Sequence, residues 1–178
     1  MKVKVCLDYA ECKSKREAKK SAAEISKRIA EREIDIELQE LVYEVGNNGR
    51  SYTPAIFDGN RDIHSFKAMQ IFCLDFDDGN ISCEEIIERG KRFELPVVFI
   101  YETLSSSEEL KKYRVGFLHI VPVENADIAL FILRILRSIY PEADKNCTEV
   151  ARMYFGGKCI VYYDTNEPVF RKRLNFSR

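Results

Sequence analysis

The chain has no tryptophan, two histidines, three methionines and five prolines among its 178 residues. Two histidines are too few for a histidine-built metal centre. The six cysteines, at 6, 12, 73, 83, 147 and 159, include no Cys-x-x-Cys pair. A structural zinc site needs clustered ligands, so a cryptic Cys/His site is left only as an alternative. The thiols read as reduced and mostly buried, in a cytoplasmic protein. No apolar run reaches the length of a membrane span, so no membrane is expected among the partners. Met1 to Cys6 turns polar too quickly for a signal peptide. Internal repeats and low-complexity tracts are also missing.

No charge of one sign dominates, because 28 Lys and Arg oppose 29 Asp and Glu. That balance hides a pattern. Residues 1–32 hold ten Lys/Arg against five acids, and residues 168–178 hold four Lys/Arg and no acid. Basic termini on an acidic body can hold a polyanion. The plain alternative is a solvated helix face and a frayed tail. A hydrophobic content of 46% allows a sizeable core, and the length suits one domain. The reading is a single domain over 1–178. It has a basic helical segment at 1–42, a core at 43–163 and a basic tail at 164–178.

Ser14-Lys15-Arg16-Glu17 has capping-box form, and Ala18, Ala22, Ile25 and Ile29 recur at helical spacing, which predicts a helix over 14–32. Ile34 to Leu38 alternates like a strand. Gly46 to Gly49 and Asp58 to Arg61 read as turns. Ile71-Phe72-Cys73-Leu74-Asp75-Phe76-Asp77 reads as a central strand that ends in carboxylates. A helix over 83–93, a strand over 96–101, a loop at 105–108 and a strand over 113–120 follow. Asn125 caps a helix whose Ile128, Phe131, Ile132, Ile135, Leu136 and Ile139 form a broad stripe. Met153 to Phe155 and Cys159 to Tyr163 flank Gly156-Gly157 and read as a hairpin. This order predicts an α+β or mixed α/β layer.

Side chains alternate along a strand, so Cys73, Asp75 and Asp77 share one face. Two aspartates two residues apart give oxygen ligands that converge. Mg²⁺ prefers such carboxylates together with waters and phosphates. Solvated aspartates at a strand end are the plain alternative. Asp-x-Asp after an apolar run also opens phosphatases that form an aspartyl-phosphate. Here Asp78 intrudes before Gly79, and no convincing downstream set follows. Arg114 shares a strand face with Gly116, which leaves room for a ligand or backbone beside it, and a guanidinium suits a phosphate. A cross-strand salt bridge is its alternative, and a loop turn is that of Asp144. Arg50, Arg61 and the basic Lys19 and Lys20 are candidate contacts for nucleic acid. Tyr52 is a candidate base-stacking residue or a semi-buried tyrosine.

Over roughly residues 43–163 the chain resembles the archaeo-eukaryotic primase–polymerase superfamily, especially forms carried on plasmids and other mobile elements. The segments that carry the resemblance are 72–77, 101–107, 112–117 and 144–157. It implies an RRM-like sheet with flanking helices beside an N-terminal α/β module, with the active site between them. It implies Asp75, Asp77 and Asp144 as ligands of Mg²⁺ or Mn²⁺. It implies Ser105, Ser107, Arg114 and Arg152 as nucleotide-binding residues. The family's usual Ser-x-His element has Ser107 in place of its histidine. The implied activity is template-dependent nucleotidyl transfer in DNA replication. Its partners would be nucleoside triphosphates, a single-stranded DNA template and a helicase or other replication protein. A nucleotide- or nucleic-acid-binding module without catalysis is the alternative.

Overall fold

The computed structural model describes residues 1–170. Strand β1 (Lys2–Glu11) is the centre of a three-stranded antiparallel sheet, flanked by β2 (Glu33–Glu37) and β3 (Arg50–Thr53). Along β1, Val3 and Val5 are buried while Lys2 and Lys4 face solvent. This is the period of two that a half-buried strand requires. The expected helical character of 1–42 therefore holds only for its middle. Helices α1 (Lys15–Lys20) and α2 (Ala22–Ala30) lie there, and α3 (Leu38–Gly46) follows β2. The helix predicted over 14–32 is interrupted at Ser21. Ser14 caps α1 by accepting the Glu17 N–H, and Glu17 accepts the Lys13 N–H rather than that of the cap itself.

A larger sheet has the order β4 (Ala55–Phe57), β5 (Phe66–Phe76), β7 (Tyr113–Val123), β6 (Val97–Thr103) and β8 (Gly157–Tyr163). These neighbours are antiparallel, and β9 (Val169–Phe170) adds to β7 in parallel. Helices α4 (Cys83–Arg92) and α5 (Ala126–Ile139) cover one face of it. Ser82 and Asn125 cap them by accepting the N–H groups of Glu85 and Ile128. Phe72, Leu74 and Phe76 point toward these helices. The buried side of α5 is Ala129, Ile132, Leu133 and Leu136, an i, i+3, i+4, i+7 set. Ile128 and Phe131 fall outside it and are exposed, so the stripe is narrower than predicted.

The opposite face of the large sheet packs on α3 and the small sheet. Ile71, Cys73, Phe99 and Tyr101 meet Val5, Leu41, Val45 and Tyr52 there. The chain is thus α+β, with two antiparallel sheets and, among the described residues, five α-helices. Among the same residues no helix is long and apolar enough to cross a membrane.

The predicted hairpin about Gly156-Gly157 does not form. Tyr154 bridges to Tyr52 of β3, while β8 pairs with β6. The two glycines serve close approach. A Cβ on Gly156 would lie 2.2 Å from the Gly49 carbonyl carbon, and one on Gly157 would lie 2.3 Å from the Tyr101 ring. The room expected beside Gly116 is likewise filled, by the Phe99 ring at 2.2 Å from a Cβ built there.

Candidate active site

The pocket forms where the end of β5 meets three other segments. Alternation along β5 buries Phe76 under the helices and turns Asp75 the other way, against β7. Asp75 is only 4% exposed. A carboxylate so deep needs a cation or several donors, and it has both. Arg114 Nε donates to its Oδ1 at 2.5 Å, and Arg152 Nη2 donates to its Oδ2 at 3.0 Å. Its backbone is fixed as well: the N–H donates to Cys147 Sγ at 3.1 Å, and the carbonyl accepts the Asp144 N–H at 2.8 Å.

Arg114 is held on all sides. Its Nη1 donates to Tyr101 Oη at 3.1 Å and to the Phe155 carbonyl, and its guanidinium carbon lies 4.4 Å over the Tyr154 ring. Burial works against its charge, but Asp75 beside it keeps the guanidinium firmly protonated. Burial also pushes the Tyr101 hydroxyl and the Cys147 thiol up to about 12, so both are neutral near pH 7.

Arg152 is bound differently. The same Nη2 that reaches Asp75 also reaches Asp144 Oδ2 at 2.9 Å, while its Nε is buried without a hydrogen-bond partner. Asp144 caps the short 3-10 turn Lys145–Cys147 by accepting the Asn146 N–H. Partial burial works to raise its pKa, but that N–H and Arg152 outweigh it and hold the carboxyl below the ordinary value of 3.8. Asp77, two residues past Asp75, is 43% exposed at its side chain, and Lys112 Nζ is 3.8 Å from it.

Asp75, Asp77, Ser105, Arg114 and Arg152 line one pocket of about 200 Å³ with Lys15, Thr103 and Phe155. Asp144 faces the adjoining cleft, which it shares with Asp77 and Asp78. Ser107 does not reach the pocket, because its Oγ accepts the Leu110 N–H within a turn. Arg50 pairs with Glu44 at 2.8 Å. Arg61 bolts α2 to a later segment through Ser26 Oγ at 2.9 Å and the Ala151 carbonyl. Both are thereby engaged inside the protein, whereas Lys19 and Lys20 remain exposed on α1. Tyr52 is fully buried with its hydroxyl 3.3 Å from Cys73 Sγ, so it presents no face to a base.

Sequence reasoning missed Lys15, Thr103, Tyr101 and Tyr154. The Tyr154 side chain forms the floor under both arginines. Its place two residues after Arg152 was the available signal. Lys15 had none, since it depends on how the small sheet sits against the large one.

The carboxylates offer hard oxygens suited to Mg²⁺ or Mn²⁺. Each oxygen of Asp75 accepts one N–H and has a second lone pair to give. Among the described residues no three acidic, histidine or cysteine side chains already converge as a cage, since Arg152 stands between Asp75 and Asp144. Asp75 and Asp77 line the same pocket and fit a divalent cation by their chemistry, while Asp144 lines the neighbouring cleft and is tied to Arg152. Compared with known proteins, the chain matches no protein-family model, no curated protein and no solved structure.

Proposed function

We propose that this pocket is a nucleotidyl-transfer site of the primase–polymerase kind, acting on nucleoside triphosphates along a single-stranded DNA template. One observation carries the reading. The segments 72–77, 101–107, 112–117 and 144–157, far apart in sequence, supply nearly the whole lining of one pocket. The β5-α4-β6-β7-α5-β8 succession has the βαββαβ element order of a split βαβ core, although β8 lies beside β6 and not beside β5, which is where an RRM-like sheet has its fourth strand.

In this reading Asp75 and Asp77, with Asp144, would hold Mg²⁺ or Mn²⁺. Such an ion, when bound, neutralises the phosphates and activates the attacking hydroxyl. The chain's own residues do the rest. Arg114 fixes Asp75 in place. Arg152, Lys15 and Ser105 face the cavity and would bind the triphosphate, the arginine through its planar fork. The α1 lysines Lys19 and Lys20 would track template phosphates. The setting would be cytoplasmic DNA replication, that of a mobile element included, with a helicase or another replication protein as partner.

The test is primer synthesis or extension on single-stranded DNA with Mg²⁺ or Mn²⁺. Asp77→Asn is the informative variant, because the Asp77 side chain is partly exposed and, among the described residues, has Lys112 as its one charged neighbour. Loss of turnover with an unchanged melting temperature is expected. Full activity in that variant would sink the proposal.

One observation favours a second reading, binding without catalysis. Both oxygens of Asp75 are occupied by guanidinium groups, and no histidine lines the pocket. Nucleotide or DNA binding that needs no divalent ion, with no turnover in the wild type, would select it.

A further inference from the structure

The two arginines on Asp75 are not equivalent, and the difference points to a coupling device. Arg114 uses Nε and Nη1 on three oxygens, lies on a central strand and is 7% exposed. Arg152 comes from an irregular connection, and its side chain is 20% exposed. It serves both carboxylates through the single nitrogen Nη2. A guanidinium has five N–H donors. Among the described residues Nη2 alone finds oxygen partners, and the side chain borders the cavity. Such a group is under-used where it sits and free to serve an anion entering the pocket.

We infer that Arg152 is an exchangeable clamp, shared between the Asp75–Asp144 pair and the phosphates of an incoming nucleotide, so that phosphate binding releases the carboxylates for a divalent cation. This rests on the nucleotide-site reading above and adds to it a reciprocal coupling between the two ligands. While Arg152 bridges Asp75 and Asp144, its positive charge occupies the space between their oxygens. A polyphosphate offers Arg152 a bidentate partner of higher charge. When the guanidinium turns to it, two carboxylate oxygens lose their donor at once. The cation and the phosphate then each raise the other's affinity by the same factor, as linkage requires. Arg114 keeps its bond to Asp75 throughout, and the strand pair stays neutralised and folded.

The experiment measures each ligand alone, on the full chain. Mn²⁺ binding is read from the paramagnetic resonance of the free ion, with no phosphate present, in wild type and Arg152→Gln. The variant is expected to bind Mn²⁺ on the order of tenfold more tightly, within the usual range of coupling between sites. Arg152→Lys keeps the charge and should stay near wild type. In the second arm, dATP binding is read by calorimetry in EDTA. Asp144→Asn, which leaves Arg152 with Asp75 as its one charged partner among the described residues, should tighten it, and Arg152→Gln should weaken it. If Arg152→Gln does not fold, judged by circular dichroism, the Asp144→Asn arm decides. Binding of both ligands with Mn²⁺ affinity unchanged in a folded Arg152→Gln, or dATP affinity not raised in Asp144→Asn, overturns the clamp alone. Absence of both Mn²⁺ and dATP binding from every protein overturns the nucleotide-site reading, and the clamp with it.

Discussion

Arg114 stands directly opposite Asp75 in the β5–β7 register, and its Nε donates to Asp75 Oδ1 at 2.5 Å. Both side chains are nearly out of water, at 8% and 6% exposure. Breaking a buried ion pair leaves one charge without its partner, which typically costs about 3–5 kcal/mol. Asp75→Ala and Arg114→Leu should therefore each lower the urea midpoint strongly, whatever they do to activity. A loss below about 1 kcal/mol in either, at the scale of surface pairs, would contradict the buried-pair account. It also follows that Asp75 variants are poor probes of chemistry, and that Asp77→Asn is the cleaner one.

The joint between the two sheets rests on backbone packed against backbone. A Cβ on Gly156 would meet Gly49 C at 2.2 Å, Gly49 O at 2.5 Å and Arg50 N at 2.6 Å. None of these atoms is a flexible side-chain end. Gly156→Ala must push the 152–157 segment away from β3, at about 1–3 kcal/mol for an overpacked site. The movement should open the paired bonds between Tyr52 and Tyr154, at 2.9 and 2.8 Å. Hydrogen exchange at those two amides is expected to speed up in the variant. Unchanged protection there, with unchanged stability, would refute the close approach.

What the sequence disclosed was local. The run Ile71 to Asp77 announced its strand because apolar β-formers lead into carboxylates, and Asn125 announced its helix because a cap needs only the next three residues. Strand β1 was hidden. Its Lys-Val-Lys-Val alternation is a strand signal, but charge counting over 1–32 left it without an element of its own inside a segment read as basic and helical. Arg61 was misread for a different reason. Its partners Ser26 and Ala151 are 35 and 90 positions away, so nothing near it in sequence marks it as internal. Of the pocket, Asp75, Asp77, Ser105, Arg114 and Arg152 were legible as chemistry-bearing types. Their mutual neutralisation was not, because which oxygen an arginine reaches depends on register and on the floor laid by Tyr154.

The same distinction separates two sets of basic residues. Lys19 and Lys20 are exposed on α1, whereas Arg61 is committed to internal hydrogen bonds. If single-stranded DNA runs past α1, removing two phosphate contacts lowers affinity and flattens its salt dependence, by about 0.7 in log–log slope per contact. The Lys19→Ala, Lys20→Ala double variant should show both changes with no loss of stability. Arg61→Ala should show the reverse, a lower melting temperature with the salt slope kept. An unaltered slope in the lysine variant would remove α1 from the template path.

Acid should act on Asp144 in a predictable direction. Burial works to raise its pKa, yet the Asn146 N–H and Arg152 prevail, and the folded value lies below the ordinary 3.8. A carboxyl depressed by folding contributes its stability in full above the unfolded pKa and loses it as pH falls through the folded one. Asp144→Asn lacks that contribution at every pH. The difference in unfolding free energy between wild type and Asp144→Asn should therefore stay constant from neutral pH down to about pH 5 and shrink below pH 4. Urea titrations at intervals from pH 7 to pH 3 measure it directly. A difference that grows on acidification would mean that Asp144 is held in its neutral form, and that Arg152 does not bridge it to Asp75.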